Sequence, residues 1–267
     1  MSPRLRIGAS IEVVSVRCRF PRALASPFLT LLSVLIVPAA RASDLDRLLF
    51  IRPEDQRTVL FGQVDVARSV FVNVGSKQTL VGPLDRTGFV VLESTGFGIT
   101  REIVRRGDEN LPATRLTTQT SVLVGHQWNL GRLFLSGYLG PEILHEQLTV
   151  AGVAYRFSEP RYGAKGQVEL WANPTRDTLL TATVVGSTTN MSLWARGSAG
   201  YRLAADLFAG PEVSIYATET YRETKVGAHL TGFRWGLMQG RASAGWMMAD
   251  DGRPGSAYLA LAAWIRL

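Results

Sequence analysis

The chain has 267 residues, 46% of them hydrophobic and 19% charged, enough for one domain of ordinary size. Its net charge of +7 is misleading, because Arg4, Arg6, Arg17, Arg19, Arg22 and Arg41 are opposed only by Glu12 in the first 42 residues, leaving 23 basic and 21 acidic residues, a net of +2, beyond them. That balance excludes a basic surface tracking nucleic acid, and the single cysteine, Cys18, excludes a disulfide or cysteine metal site beyond residue 42.

Taken in chain order, the first element is a leader. Basic residues from Arg17 to Arg22 precede an apolar run from Phe28 to Val37, and Ala40-Arg41-Ala42 supplies an A-x-A cleavage site. A signal peptide over 1–42 is expected, with cleavage before Ser43. The apolar run falls well short of the roughly 20 residues that a membrane-spanning helix needs. Cys18 precedes that run, so it is not a lipidated cysteine.

Apart from a possible short turn around Leu45 to Ile51, residues 43–267 carry period-two alternation rather than a helical stripe. Strands are expected at about 59–67, 69–80, 87–100, 115–129, 132–147, 162–172, 177–189, 191–203, 205–218, 224–234, 237–248 and 258–267. The last is the cleanest. Leu259, Leu261, Ala263, Ile265 and Leu267 form one wholly apolar face, while Tyr258, Trp264 and Arg266 stand on the other.

Ten or so alternating residues suit a tilted membrane strand with one face to lipid and one to a lumen. The turns alternate too: Phe233–Gly236 and Leu203–Asp206 are tight, Ala249–Gly255 and Thr218–Glu223 longer and more polar, as periplasmic and external connections would be. Segments 101–114 and 148–161 read as external loops. The expected architecture is all-β: a closed antiparallel transmembrane β-barrel over 43–267, with twelve strands, or ten without the weakly patterned segment 59–80. Closure removes the edges that an open sheet would leave in lipid. A soluble β-sandwich uses the same alternation; the leader, the apolar last strand and the placement of Trp128, Trp171, Trp194, Trp235, Trp246 and Trp264 favour the barrel.

Two segments echo each other, Tyr138-Leu139-Gly140-Pro141-Glu142 and Phe208-Ala209-Gly210-Pro211-Glu212. In each, Gly-Pro interrupts the ladder and marks a bulge or bend, and the following glutamate has lumenal parity. With the stretches Lys165 to Pro174 and Val226 to Gly232, the Asp85-Arg86-Thr87-Gly88-Phe89 turn, Gly125 to Gly140, and the hairpin from Ala244-Gly245-Trp246 through Tyr258, they resemble the cellulose biosynthesis protein BcsS family over most of the chain after the leader. The terminal Leu267, where an aromatic is commoner, and the segment Asp65 to Val70 depart from that pattern. The resemblance implies an outer-membrane barrel associated with cellulose synthesis and export in Gram-negative bacteria, and no chemistry. Cellulose, or components of its synthase complex, enters as a partner by resemblance alone.

Glu142, Glu169 and Glu212, with Lys165, Arg196 and Arg202 at the same parity, are the candidate lumenal cluster. Ionised groups inside a barrel need partners, so structural pairing is one reading and a polar constriction for a glycan or small solute the other. His126, His145 and His229 stand on three different strands without metal spacing, and His145-Glu146 lacks the second histidine of a zinc protease motif. No motif joins His145 or His229 to Ser121, Ser136 or Ser214 as a hydrolytic set, so no catalytic residue, metal or cofactor is assigned. Asn190-Met191-Ser192 reads as a tight loop. Arg101, Glu102, Arg105, Arg106, Asp108 and Glu109 make a mixed-charge segment suited to lipopolysaccharide or polysaccharide, or a plain solvated loop.

The expected function is non-enzymatic support of cellulose or related exopolysaccharide export at the outer membrane, with outer-membrane lipids and lipopolysaccharide as partners and no nucleic acid. A small-solute porin or general envelope barrel, and then a lipid-modifying barrel enzyme, are the alternatives.

Overall fold

A computed structural model describes residues 56–106, 109–150, 153–157 and 159–267; the expected leader lies outside them. Thirteen strands follow one another: β1 (Thr58–Val66), β2 (Ser69–Thr79), β3 (Gly88–Arg106), β4 (Glu109–Asn129), β5 (Leu133–Val150), β6 (Val153–Phe157), β7 (Arg161–Ala172), β8 (Thr178–Ser187), β9 (Ser192–Ala204), β10 (Leu207–Ala217), β11 (Arg222–Trp235), β12 (Met238–Ala249) and β13 (Ser256–Arg266). All pairings are antiparallel. The first and last ring strands join with Val59 opposite Arg266 and Val66 opposite Leu259, and β6 is only a short flap paired to the end of β5. The result is the expected closed ring of twelve strands, in which every backbone ladder has a partner on both sides.

The expected first hairpin, which had the weakest alternation, forms with Asp65 opposite Phe71. The expected external loops at 101–114 and 148–161 do not stay irregular. β3 and β4 remain paired out to Arg106 opposite Glu109, β5 runs to Val150, and β6 folds back upon it. The charges in this segment hide a second alternation, in which Val104, Ala113 and Val150 bury themselves with Leu111 and Leu148 in a small core above the ring. Arg115 braces that core through Glu102 at 3.0 Å and Glu146 at 3.5 Å.

Register carries parity faithfully around the ring, so Leu259, Leu261, Ala263 and Ile265 face outward and Tyr258, Trp264 and Arg266 inward. The exterior is apolar nearly throughout. At the end holding the termini, Phe89, His126 and Trp128 form an outward aromatic row, with ring centroids 5.1 and 4.7 Å apart. Tyr162 and Trp246 stand outward toward the opposite end, 74% and 53% exposed.

The Gly-Pro pairs bend their strands without inserting a residue. On β5 the ladder to β4 skips Gly140 and Pro141, yet Leu139 opposite Val124 and Glu142 opposite Ser121 keep the same register. β10 does likewise against β9, from Ala209 opposite Tyr201 to Glu212 opposite Ser198. Pairing on the other flank is continuous, with Pro141 opposite Ala164 and Pro211 opposite Ala228, so the break lies on the side where proline has no N–H to give. Glycine is required because a Cβ at Gly140 would strike the carbonyl oxygen of Val122, and one at Gly210 that of Ala199. Gly140→Val and Gly210→Val are each expected to destabilise the barrel by about 1–3 kcal/mol, measured as a lower urea midpoint for loss of the folded gel band.

Candidate functional site: a cross-braced lumen

The inward rows meet across the lumen in several direct contacts. At the end holding the termini, Val90, Leu92, Leu123 and Tyr138 form an apolar cluster with Phe61 along one side of the lumen. The 80–87 turn is tied beside it, since Gln127, 1% exposed, donates from Nε2 to the carbonyls of Leu84 at 2.8 Å and Arg86 at 2.6 Å. Opposite, Trp171 of β7 and Trp264 of β13 meet edge to face with centroids 6.0 Å apart. These two strands are six steps apart in the twelve-membered ring, so their contact crosses the full lumen.

Above this layer the carboxylates are held separately. Glu142, 1% exposed, accepts from Gln119 Nε2, from Ser187 Oγ and, at 2.7 Å, from Thr189 Oγ1, with Lys165 Nζ at 3.3 Å. Glu212 takes the Arg241 guanidinium and Ser243 Oγ at 3.2 Å. Arg241 also donates from Nη1 to Thr181 Oγ1 at 3.2 Å, reaching from β12 to β8, and Thr181 bonds Ser198 at 2.7 Å. Glu169 accepts from Gln167 at 2.7 Å and Tyr138 Oη at 3.3 Å and faces Lys77 Nζ at 3.8 Å, a bridge from β7 to β2. Lys225 pairs with Asp65 at 2.7 Å and Glu223 at 3.2 Å.

Of the residues singled out in the sequence, the structure joins Lys165 to Glu142. The three glutamates hold three different sets of partners. Arg196 lies over the Trp194 ring at 5.3 Å. Arg202 sits at the rim, its guanidinium 3.7 Å from Asp177 and stacked over Phe208. Lumenal cations missed by that reading include Arg241, Lys77 and Lys225. Arg241 was detectable: it shares parity with Ser243 and opposes the apolar Ala242 and Ala244. Lys77 sits in the first hairpin, where the polar alternation gave little signal.

His229 is buried with Nδ1 2.8 Å from Thr231 Oγ1, whereas His126 and His145 face outward and Ser121, Ser136 and Ser214 face the lumen. The side chains of Arg105 and Arg106, and residue Asp108, lie outside the described residues.

A separate clasp closes the seam between β1 and β13 at the end opposite the termini. Arg68 Nη1 reaches both Asp251 oxygens at 2.9 Å, and its Nη2 donates to the carbonyls of Arg253 at 3.3 Å and Pro254. Burial pushes the Asp251 carboxyl upward, but the Arg253 N–H and the Arg68 charge outweigh it and hold the group below its ordinary value. A depressed carboxyl stabilises the fold above its ordinary value and loses that contribution only as pH falls through the lower, folded one. The clasp is therefore expected to persist through pH 7 to 5 and to open in stronger acid. At pH 7, Asp251→Asn is expected to weaken it by about 1 kcal/mol, read as roughly five-fold faster exchange of the Arg253 amide.

Residues 59–267 match the family model described as Cellulose biosynthesis protein BcsS. Among solved structures, the KdgM porin is 9% identical over 78% of this chain and 99% of its own, with a TM-score of 0.43. The translocator domain of autotransporter NalP from Neisseria meningitidis is 14% identical over 84% of this chain and 92% of its own, TM-score 0.41. The transport unit of the autotransporter AIDA-I from Escherichia coli is 11% identical over 79% and 88%, TM-score 0.44. No curated protein matches the chain.

Proposed function

Because the chain belongs to the cellulose biosynthesis protein BcsS family, we propose that it is an exported outer-membrane barrel that supports cellulose production without catalysing a reaction, as an anchoring or docking element rather than an open conduit. The family supplies the word cellulose. The outward apolar rows, the outward aromatic row of Phe89, His126 and Trp128, and the closure of the twelve-stranded ring through β1 and β13 support residence in a bilayer. Export by the 1–42 leader and contact with lipopolysaccharide at the external rim complete the reading.

The observation that carries the mechanical half is the contact of Trp171 with Trp264 across the whole lumen, 6.0 Å between centroids. Two indoles at that separation leave no passage for a glucan chain between them. Further cross-braces at Arg241 to Thr181 and Lys77 to Glu169 would each have to break for a polymer to pass. A cellulose chain or a synthase component is instead engaged at the mouth beside the termini, where Trp171 keeps 39% of its surface exposed.

Deletion of the gene in a cellulose-producing strain is expected to lower secreted cellulose, with the protein itself found in outer-membrane fractions and showing heat-modifiable gel mobility. Wild-type cellulose output would refute the link to cellulose, and mobility indifferent to heating would refute the membrane barrel. The polar lumen also admits a second reading, a small-solute channel. Planar-bilayer recordings separate the two: the closed lumen predicts no conductance steps, whereas steps altered by Glu142→Gln and Glu212→Gln would establish the channel.

A further inference from the structure

The exterior carries one residue that the membrane reading leaves unexplained. On β3 the outward row is Phe89, Val91, Glu93, Thr95, Phe97 and Ile99, and Glu93 is exposed near its middle, with the Phe89, His126 and Trp128 aromatic row on one side and Phe97 and Ile99 on the other. Among the described residues it is the only carboxylate on the outward rows between the two ends, and it has no hydrogen-bond or ionic partner. An ionisable group at that depth is costly against lipid and marks a site where something other than hydrocarbon is met.

Its surroundings are equally unlike the rest of the exterior. Ser76 stands opposite Glu93 on β2, and Thr95 pairs with Thr120 of β4, their hydroxyls 3.3 Å apart, with Thr118 next along the same row. Elsewhere the outward rows are filled by residues such as Val64, Leu139, Val184, Val213 and Leu261.

We propose that this β2–β4 face, centred on Glu93, is where a second copy of the chain packs within the membrane, forming a two-fold dimer. A two-fold interface must be complementary to itself. This patch is: Glu93 offers acceptors, and Ser76, Thr95 and Thr120 offer hydroxyl donors within the same surface, so each copy satisfies the other. No lysine or arginine stands on an outward row between the two ends among the described residues, so the second copy meets Glu93 with hydroxyls and not with an opposing charge. The same face continues along β3 and β4 toward the end opposite the termini, where Ile99, opposite Val70 of β2, and Leu116 are 48% and 39% exposed. The dimer rests on the membrane reading above, from which its test is kept separate.

The test is thiol cross-linking of the full chain in intact outer membranes, in a Cys18→Ser background that removes the one natural cysteine. Thr95→Cys and Ser76→Cys are expected to yield a species of twice the monomer mass on oxidation. Val213→Cys, outward at similar height on β10 across the ring, is expected to yield at least ten-fold less. Glu93→Gln should keep the Thr95→Cys product, and Glu93→Leu should reduce it at least ten-fold while heat-modifiable mobility remains normal. Thr95→Cys linking no better than Val213→Cys, linking to a protein of another mass, or surviving Glu93→Leu undiminished would each overturn the dimer. Absence of the protein from outer-membrane fractions would overturn the membrane reading itself.

Discussion

Arg241→Met is expected to lower the stability of the barrel by about 3–5 kcal/mol, because it removes the cation bonded to a carboxylate that has almost no contact with water. The side chains of Arg241 and Glu212 are 4% and 3% exposed, and Ser243 and the neighbouring backbone cannot replace a guanidinium. Loss of the link to Thr181 adds to the effect by releasing β12 from β8. The pair itself is a different matter. Desolvating two charges consumes most of what their attraction returns, so Arg241→Met combined with Glu212→Leu should recover most of the loss. Urea unfolding of the purified barrel, followed by gel mobility, measures all three variants. A cost below about 1 kcal/mol for the single substitution would mean that water reaches Glu212 in the folded barrel.

Leu261→Arg should cost about 2–4 kcal/mol and reduce the folded fraction in membranes. Leu261 is outward, 49% exposed and flanked by Val64 of β1 and Ala242 of β12, so a guanidinium there has no partner within the ring. The same residue placed at Asp250, in the connection between β12 and β13, is expected to cost no more than about 1 kcal/mol, the loss of the bond that Asp250 Oδ1 accepts from the Arg222 N–H at 2.9 Å, since the new side chain meets water. Equal effects at the two positions would contradict a lipid-facing exterior. The comparison is informative because both substitutions alter charge in adjoining parts of the chain.

Strand order and parity were legible in the sequence because a two-residue period is a local property. Leu259, Leu261, Ala263 and Ile265 announce their face without reference to any neighbour, and a closed antiparallel ring keeps each strand beside those next to it in sequence. The extension of β3 and β4 was hidden because Arg101, Arg105 and Arg106 dominate a segment whose core-facing row is only Val104 on β3 and Leu111 and Ala113 on β4. The lumenal pairs were least legible. Glu212 and Arg241 are 29 residues apart and Lys77 and Glu169 lie on strands from different quarters of the ring, so their meeting depends on curvature, tilt and side-chain length. Parity told which side chains point inward; it carried no information on which would touch.

The seam between β1 and β13 bears on how such a ring is made. Every other ring pairing joins strands adjacent in the sequence or, for β5 and β7, separated only by the flap β6, and each can form as a local hairpin soon after its residues are available. The seam instead unites residues such as Arg68 and Asp251, 183 positions apart. Pairings of that range are slow to find, although the entropy of closing so long a loop rises only with the logarithm of its length. Assembly is thus expected to stall as an incomplete, curled ribbon whose two unsatisfied edges await each other, and the rate of the whole process is set at that single junction.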